Sequence, residues 1–280
     1  MIKAICSYFN YNNNPVRKSN YEKFRKNFAH DLITVELATD ASHFFIDDAI
    51  QIVAKPENFL WQKERCFNIA LETLPDSVDK IVWVDTDVVF HNDDWLTELD
   101  KLLDEKCFGQ PFERVVELDN HFNHNLNCFS YAKLLHSYIH HNEPIGRSLA
   151  VGLSWGCRRS LLPNGFYDKH IMGSNDGLQL YAWLGDIVNY KIFAMPNNLI
   201  QDFLNYYQNL DKSSGVDVGY CKGVVEHLYH GDYKYRGYNS REKILTHDFD
   251  IKDLEMDSNG LYKLNNKGKF DEIKEHFSKL

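Results

Sequence analysis

Two carboxylates, Asp85 and Asp87, interrupt the apolar run Ile81-Val82-Trp83-Val84-Asp85-Thr86-Asp87-Val88-Val89-Phe90. Burying a carboxylate in an apolar strand without a partner is costly. The pair therefore belongs where a strand leaves its sheet, facing a cation. At positions i and i+2 of an extended chain both side chains share one side, so both can approach one metal ion. The plain alternative for a lone pair of this kind is a charged turn between strands.

Other residues could join that chemistry. His227 and His230 lie in Gly223-Val224-Val225-Glu226-His227-Leu228-Tyr229-His230-Gly231, a strand ending in two imidazoles. Three apart on a strand, they cannot point the same way unless the chain has already turned. Asp176 precedes an amphipathic run over 178–184, where a helix N-cap is its ordinary reading. Lys63 is the odd member of an apolar helix face, and such lysines ordinarily snorkel to solvent. Lys234, Arg236 and Arg241 sit in a basic, aromatic stretch; guanidinium forks suit phosphate, and a solvated loop is the equal alternative. His136 and His140 are an i, i+4 pair, but no Glu completes a zinc-protease motif.

The elements that would position these residues follow from periodicity. Residues 2–8 and 32–37 predict strands, with a helix between them from Ser19 or Asn20 through Phe28. Strand, helix, strand implies a parallel pair with a right-handed crossover. Ligands of such sheets collect at the carboxyl ends of the strands, which lines Ser7, Tyr8, Asp40, Asp85 and Asp87 along one rim. A helix over 56–74 carries Leu60, Lys63, Phe67, Ala70, Leu71 and Leu74 on one face and feeds the strand bearing Asp85. Further predictions are a helix over 94–103, a small-residue strand or turn over 151–157, a strand over 223–231 and a last helix over 270–280. Residues 104–148, rich in Asn and His, show no strong period before 131 and read as a surface insertion.

Composition narrows the class. The 280 residues are 44% hydrophobic and 14% aromatic, as expected of a packed enzyme. A formal charge of −9 argues against a protein that coats nucleic acid. No apolar stretch approaches the roughly 18 residues of a membrane span, and the start of the chain has no signal-peptide layout. Cys6, Cys66, Cys107, Cys128, Cys157 and Cys221 form no C-x-x-C pair and read as reduced, buried residues. The expectation is a soluble, cytoplasmic α/β protein without a membrane span.

Four motifs in order resemble GT-A glycosyltransferases, most closely a group of short prokaryotic and phage enzymes. These are K-E-x-x-x-N (Lys63, Glu64, Asn68) and W-x-D-x-D (Trp83, Asp85, Asp87). Next is Y-D-x-x-I-x-G-x-x-D (Tyr167, Asp168, Ile171, Gly173, Asp176). Last is H-L-x-H-G followed by R-x-Y-x-x-R (His227, Leu228, His230, Gly231, Arg236, Tyr238, Arg241). The resemblance covers most of the chain except 104–148. It implies a GT-A fold: a Rossmann-like, mostly parallel sheet flanked by helices in a single compact domain. Residues 1–103 would be the nucleotide-sugar half, 104–148 an insertion, 149–245 the acceptor-binding and metal-completing half, and 246–280 a tail.

The resemblance also implies an activity: metal-dependent transfer of a sugar from a UDP-sugar to a hydroxyl acceptor. Asp87 would bind the metal, Asp85 would help through metal or ribose, and His227 or His230 would complete the shell. Such ligands suit Mn²⁺, and Mg²⁺ less well. Ser7, Tyr8 and Asp40 match the nucleotide region, with Lys63, Asn68, Lys234, Arg236 and Arg241 on the donor side. Trp155 and Tyr167 would give apolar platforms beside Asn175, where many relatives carry Glu. Asp176 matches the general base of inverting relatives. A saccharide is the default acceptor. A hydroxymethylated pyrimidine in phage DNA is the alternative, with Arg158-Arg159 and 234–241 on the DNA backbone and the base flipped out. A nucleotidyltransferase would need a Gly-rich loop after the first strand, and 8–15 has no glycine. Against a non-catalytic sugar- or nucleic-acid-binding module stand the intact Asp85, Asp87 and Asp176.

Overall fold

The computed structural model describes residues 1–121, 123–143, 149–185, 195–210, 217–231, 237 and 241–278. Strand β1 (Ile2–Phe9) leads to α1 (Pro15–Lys26), β2 (Leu32–Ala38) and β3 (Ile50–Val53). Then come α2 (Lys63–Glu72), β4 (Lys80–Val84), β5 (Val88–Phe90) and α3 (Trp95–Glu105). The middle holds β6 (Phe108–Gln110), β7 (Arg114–Leu118), β8 (His124–Ser130), α4 (Tyr131–His141), β9 (Leu149–Ala150) and β10 (Ser154–Arg158). The chain continues through α5 (Asn175–Leu184), α6 (Asn197–Gln208), β11 (Val218–Tyr220) and β12 (Val224–His227). It ends with β13 (Leu254–Met256), β14 (Tyr262–Leu264) and α7 (Lys267–Ser278).

Seven strands make the large sheet in the order β11-β6-β10-β4-β1-β2-β3, and β10 alone runs against its neighbours. A second sheet runs β5-β12-β7-β8-β9. Along β1 and β4 successive side chains alternate between two cores. Ile5, Ile81 and Trp83 share a core with Cys66, Phe67, Ala70 and Leu71 of α2. Ala4, Cys6, Val82 and Val84 share the other with Tyr21 and Phe24 of α1 and with Leu99 and Leu103 of α3. Helices thus flank both faces of a mostly parallel sheet, the expected α/β layout. Asp85 has the parity of Ile81 and Trp83, so it leaves the sheet on the side of α2.

Three sequence expectations change. The helix predicted over 56–74 breaks into a short turn, Pro56–Asn58, and α2, which starts only at Lys63. The break is held from outside: Asn58 Nδ2 and Gln62 Nε2 donate to Tyr262 O at 3.0 and 2.7 Å. It turns Lys63 from a mid-helix residue into the first residue of a helix. The helix α1 starts four residues before Ser19, because the Asn14 side chain caps it and Pro15 supplies a preset φ at its first position. Finally, 104–148 does not stay on the surface. Its β6 joins the large sheet between β10 and β11, and its β7 pairs with β12.

Of 151–157, the residues from Ser154 on lie in β10, a strand inside the large sheet. All six cysteines are free and buried. No described helix is long and apolar enough to cross a membrane.

Candidate active site

Strand β4 ends at Val84 and β5 begins at Val88, so Asp85-Thr86-Asp87 is the crossing between the two sheets. Asp85 N donates to Leu153 O, beside β10, and Leu228 N donates to Asp87 O, beyond β12, both at 2.7 Å. Each aspartate is therefore pinned to a different sheet, and the two carboxylates meet different partners.

Asp87 meets imidazoles. Antiparallel pairing sets His227 opposite Val88. The strand ends there, and the chain has turned before His230, so both rings face one carboxylate after all. His227 Nε2 is 3.7 Å from Asp87 Oδ1, and His230 Nε2 is 3.5 Å from Oδ2. Ligand atoms of the three residues all lie within 4.8 Å of one another, the one such group among the described residues. Behind His227, Glu117 Oε1 stands 3.2 Å from Nδ1. The parallel register of β7 and β12 puts these two residues side by side. A carboxylate there fixes which ring nitrogen faces Asp87 and raises the ligand's basicity. Burial disfavours a charged His227, but Asp87 and Glu117 outweigh it and push its pKa up to about 10. One carboxylate and two imidazoles, with a carboxylate behind, fit a divalent transition metal such as Mn²⁺ better than Mg²⁺.

Asp85 meets a lysine. Lys63 Nζ is 2.6 Å from Asp85 Oδ1 and 3.1 Å from Asp176 Oδ2. Lys63 is 6% exposed, so it does not snorkel. Its place at the start of α2 opposes the helix dipole, a cost of about 0.3–1 kcal/mol, which two carboxylate partners override. Burial works against its ammonium too, yet Asp176 and Asp85 raise its pKa and keep it protonated. Burial pushes Asp85 up to about 6 while Lys63 pulls the other way. Asp85 stands outside the converging group, with one carboxylate oxygen 2.6 Å from Lys63.

Asp176 does not cap its helix. Ser174, at φ +67°, is the N-cap of α5, and Asp176 lies inside the first turn. Its Oδ1 accepts from Trp83 Nε1 at 3.3 Å while Oδ2 accepts from Lys63. Beside it, buried Glu64 accepts from Asn175 Nδ2 at 2.6 Å and Trp61 Nε1 at 3.0 Å. Burial pushes Glu64 up to about 7, against the pull of Lys63.

The other expected residues divide. Ser7 shares the parity of Ile5 and reaches the rim. Tyr8 is packed against Tyr21 and Phe45 at 5.2 and 5.0 Å between ring centroids, with Asn10 Nδ2 donating to its hydroxyl. Asp40 is exposed past the end of β2 and accepts from Ser42 N and Oγ. Arg241 is buried, lies 5.5 Å over the Trp61 ring and donates to Ser174 Oγ, holding the entry to α5. Lys234 and Arg236 lie outside the described residues.

Four expectations are corrected. Asn68 accepts from Phe166 N and donates to Phe166 O and Asp168 Oδ2, so its amide clamps 166–168 rather than a donor. Trp155 and Tyr167, 1% and 4% exposed, are core residues and offer no sugar platform. Asn175 is buried, and its amide nitrogen donates to Glu64 and His170 O rather than to an acceptor. The Arg158-Arg159 pair is at the far end of the sheet, because Arg158 pairs with Lys80, the first residue of β4. Five residues at about 3.3 Å each put it about 16 Å from the Asp85 end.

The sequence names Glu64 only within a motif and gives it no role, and Glu117 is not singled out at all. A lone carboxylate in the apolar strand Arg114-Val115-Val116-Glu117-Leu118 was the available signal for the second. Nothing short of the fold shows that Glu64 faces Asn175.

The chain matches no family model and no curated relative. Among solved structures it is similar to residues 1–349 of S. aureus TarS, at 13% identity and a TM-score of 0.46, over 99% of this chain and 71% of that one. It is similar to glucosyl-3-phosphoglycerate synthase from Mycobacterium tuberculosis in complex with Mn²⁺, UDP and phosphoglyceric acid, at 11% and 0.39, over 88% and 75%. A third is the mannosyltransferase PcManGT from Pyrobaculum calidifontis with GDP-Man and Mn²⁺, at 12% and 0.42, over 84% of this chain and 58% of that one. These are likenesses of layout at low identity.

Proposed function

We propose that this chain is a metal-dependent GT-A glycosyltransferase that moves a sugar from a UDP-sugar to a hydroxyl acceptor with inversion. One juxtaposition carries the reading. A converging group able to hold a divalent cation (Asp87, His227, His230) sits two residues from Asp85, which Lys63 ties to the carboxylate of Asp176. A cation held by that group supplies charge that stabilises the departing diphosphate.

The chain's own residues do the rest. Glu117 orients His227 toward Asp87. Ser7 and Asp40, at the carboxyl ends of β1 and β2, lie where a parallel sheet receives a nucleotide. Asp176 takes the acceptor hydroxyl's proton as its oxygen attacks the anomeric carbon, a contribution of about 10²- to 10⁴-fold. A carboxylate has about four lone-pair sites. Trp83 and Lys63 occupy one on each oxygen, which leaves lone pairs for that proton. Placing the base opposite the leaving group is what makes the transfer inverting.

The acceptor is read as a saccharide rather than DNA. Arg158 donates to Leu103 O and Asp104 O, and Arg159 to Pro75 O and Val78 O, so both are spent on the fold at the wrong end of the sheet. The test is nucleotide release from a panel of UDP-sugars with Mn²⁺, followed by NMR of the product. Inverted anomeric configuration is expected. Retention removes Asp176 from the base role, and no release from any UDP-sugar overturns the reading.

A further inference from the structure

We propose that Lys63 is a positioning residue: it fixes the orientation of the Asp176 carboxylate by tying it to Asp85, and does not bind the donor. The inference rests on the transferase reading above. Lys63 is anchored at its root, because the turn before it is fastened to Tyr262 through Asn58 and Gln62. Its ammonium has three hydrogens. Contacts of 2.6 Å to Asp85 and 3.1 Å to Asp176 direct two of them at carboxylates. A lysine serving donor phosphates would keep its donors for the ligand; this one directs two of its three across the site.

Asp176 is held from its other sides as well. Trp83 Nε1 donates to Oδ1, and the indole is itself wedged against Phe166 and Trp183 at 4.9 and 5.8 Å between centroids. On a third side is Gly152, where a Cβ would come to 3.4 Å from Asp176 Oδ2. A base with one donor on each oxygen and backbone beside it has few orientations left. That is the arrangement in which a third group orients the base, here assembled from residues 113 positions apart.

The test compares Lys63→Met and Lys63→Arg with wild type. The methionine keeps the stem and removes the donor; the arginine keeps charge but alters its geometry. Expected for Lys63→Met is a loss of kcat of about 10²-fold, with donor KM and Mn²⁺ affinity within about threefold of wild type. Lys63→Arg is expected to recover part of kcat with the same unchanged binding. A donor KM raised more than tenfold with kcat kept, or wild-type kcat in either variant, overturns the proposal. Should Lys63→Met not fold, Lys63→Arg decides by the same criteria. Should the wild type turn over no nucleotide sugar, the transferase reading is what has failed. The tie is then judged by the ¹³Cγ resonance of Asp176, which must move in the Lys63 variants; a resonance that stays put ends the proposal.

Discussion

The two ends of β4 both carry charge and use it in opposite ways. At the start of the strand, Lys80 reaches Asp100 O and Oδ1. Its register partner Arg158 reaches the carbonyls of Leu103 and Asp104 at the end of α3, and Arg159 those of Pro75 and Val78 beyond α2. Cations on the last carbonyls of a helix satisfy groups the helix leaves open and suit its dipole. At the other end Asp85, Asp176 and Glu64 gather around the Lys63 ammonium, while Asp87 and Glu117 flank His227. Where cations meet carbonyls, the charge is used up inside the fold. Where acids outnumber cations, charge is left for a ligand. The basic pair that stands out in the sequence is structural, and the acidic end is where the proposed site lies.

The sharpest way to break this contrast is one substitution at each end. Asp87→Ala should lower Mn²⁺ affinity by at least about 10²-fold, measured by calorimetry, because it removes the only carboxylate of the converging group. Arg158→Ala should leave that affinity unchanged. Equal effects would erase the distinction between the ends. Asp176→Asn comes next: kcat should fall by about 10²- to 10⁴-fold with donor KM retained. Asn caps a helix about as well as Asp, so an active variant would return Asp176 to a structural role.

The pH dependence sharpens the acidic end. His227 has a folded pKa raised from 6.5 to about 10 in the metal-free protein. A raised pKa contributes stability that is fully present below the unfolded value and lost as pH rises through the folded one. The melting temperature of the metal-free protein should therefore fall between about pH 6.5 and 10. A metal competes with that proton, so Mn²⁺ affinity should rise across the same window. A Mn²⁺ affinity flat in pH would contradict the pairing of His227 with Asp87 and Glu117. The smallest effect belongs to the far end. Arg158→Ala should lower the melting temperature by a few degrees and leave kcat, KM and their salt dependence alone. If Arg158 tracked DNA, its removal would flatten the salt slope of acceptor binding by about one unit.

What the sequence shows and what it hides follow from the range of the contacts. The apolar run broken by Asp85 and Asp87 marks the crossing between sheets, since strand period and a buried-charge penalty are local properties. The order of β1, α1 and β2 is legible for the same reason. Hidden are the partners. Lys63 looks like a snorkelling helix residue until a contact between Gln62 and Tyr262, 200 positions apart, ends the preceding turn and exposes it as a helix start. The two histidines look incompatible until the chain turns after β12. Residues 104–148 lack a strong period because β6 is only three residues long and five of the seven residues of β8 are exposed. Arg158-Arg159 looks like a nucleic-acid patch because sequence gives no hint that backbone carbonyls already occupy it.

The central claim, that Asp87 and its two histidines hold the metal for sugar transfer, meets its most direct test in one side-by-side assay. Wild type and Asp87→Ala are given the same UDP-sugars with Mn²⁺ and with excess chelator, and free UDP is measured. The account predicts release by wild type with Mn²⁺ alone, and none above background in chelator or from a folded Asp87→Ala. Release that persists undiminished in either condition would contradict it.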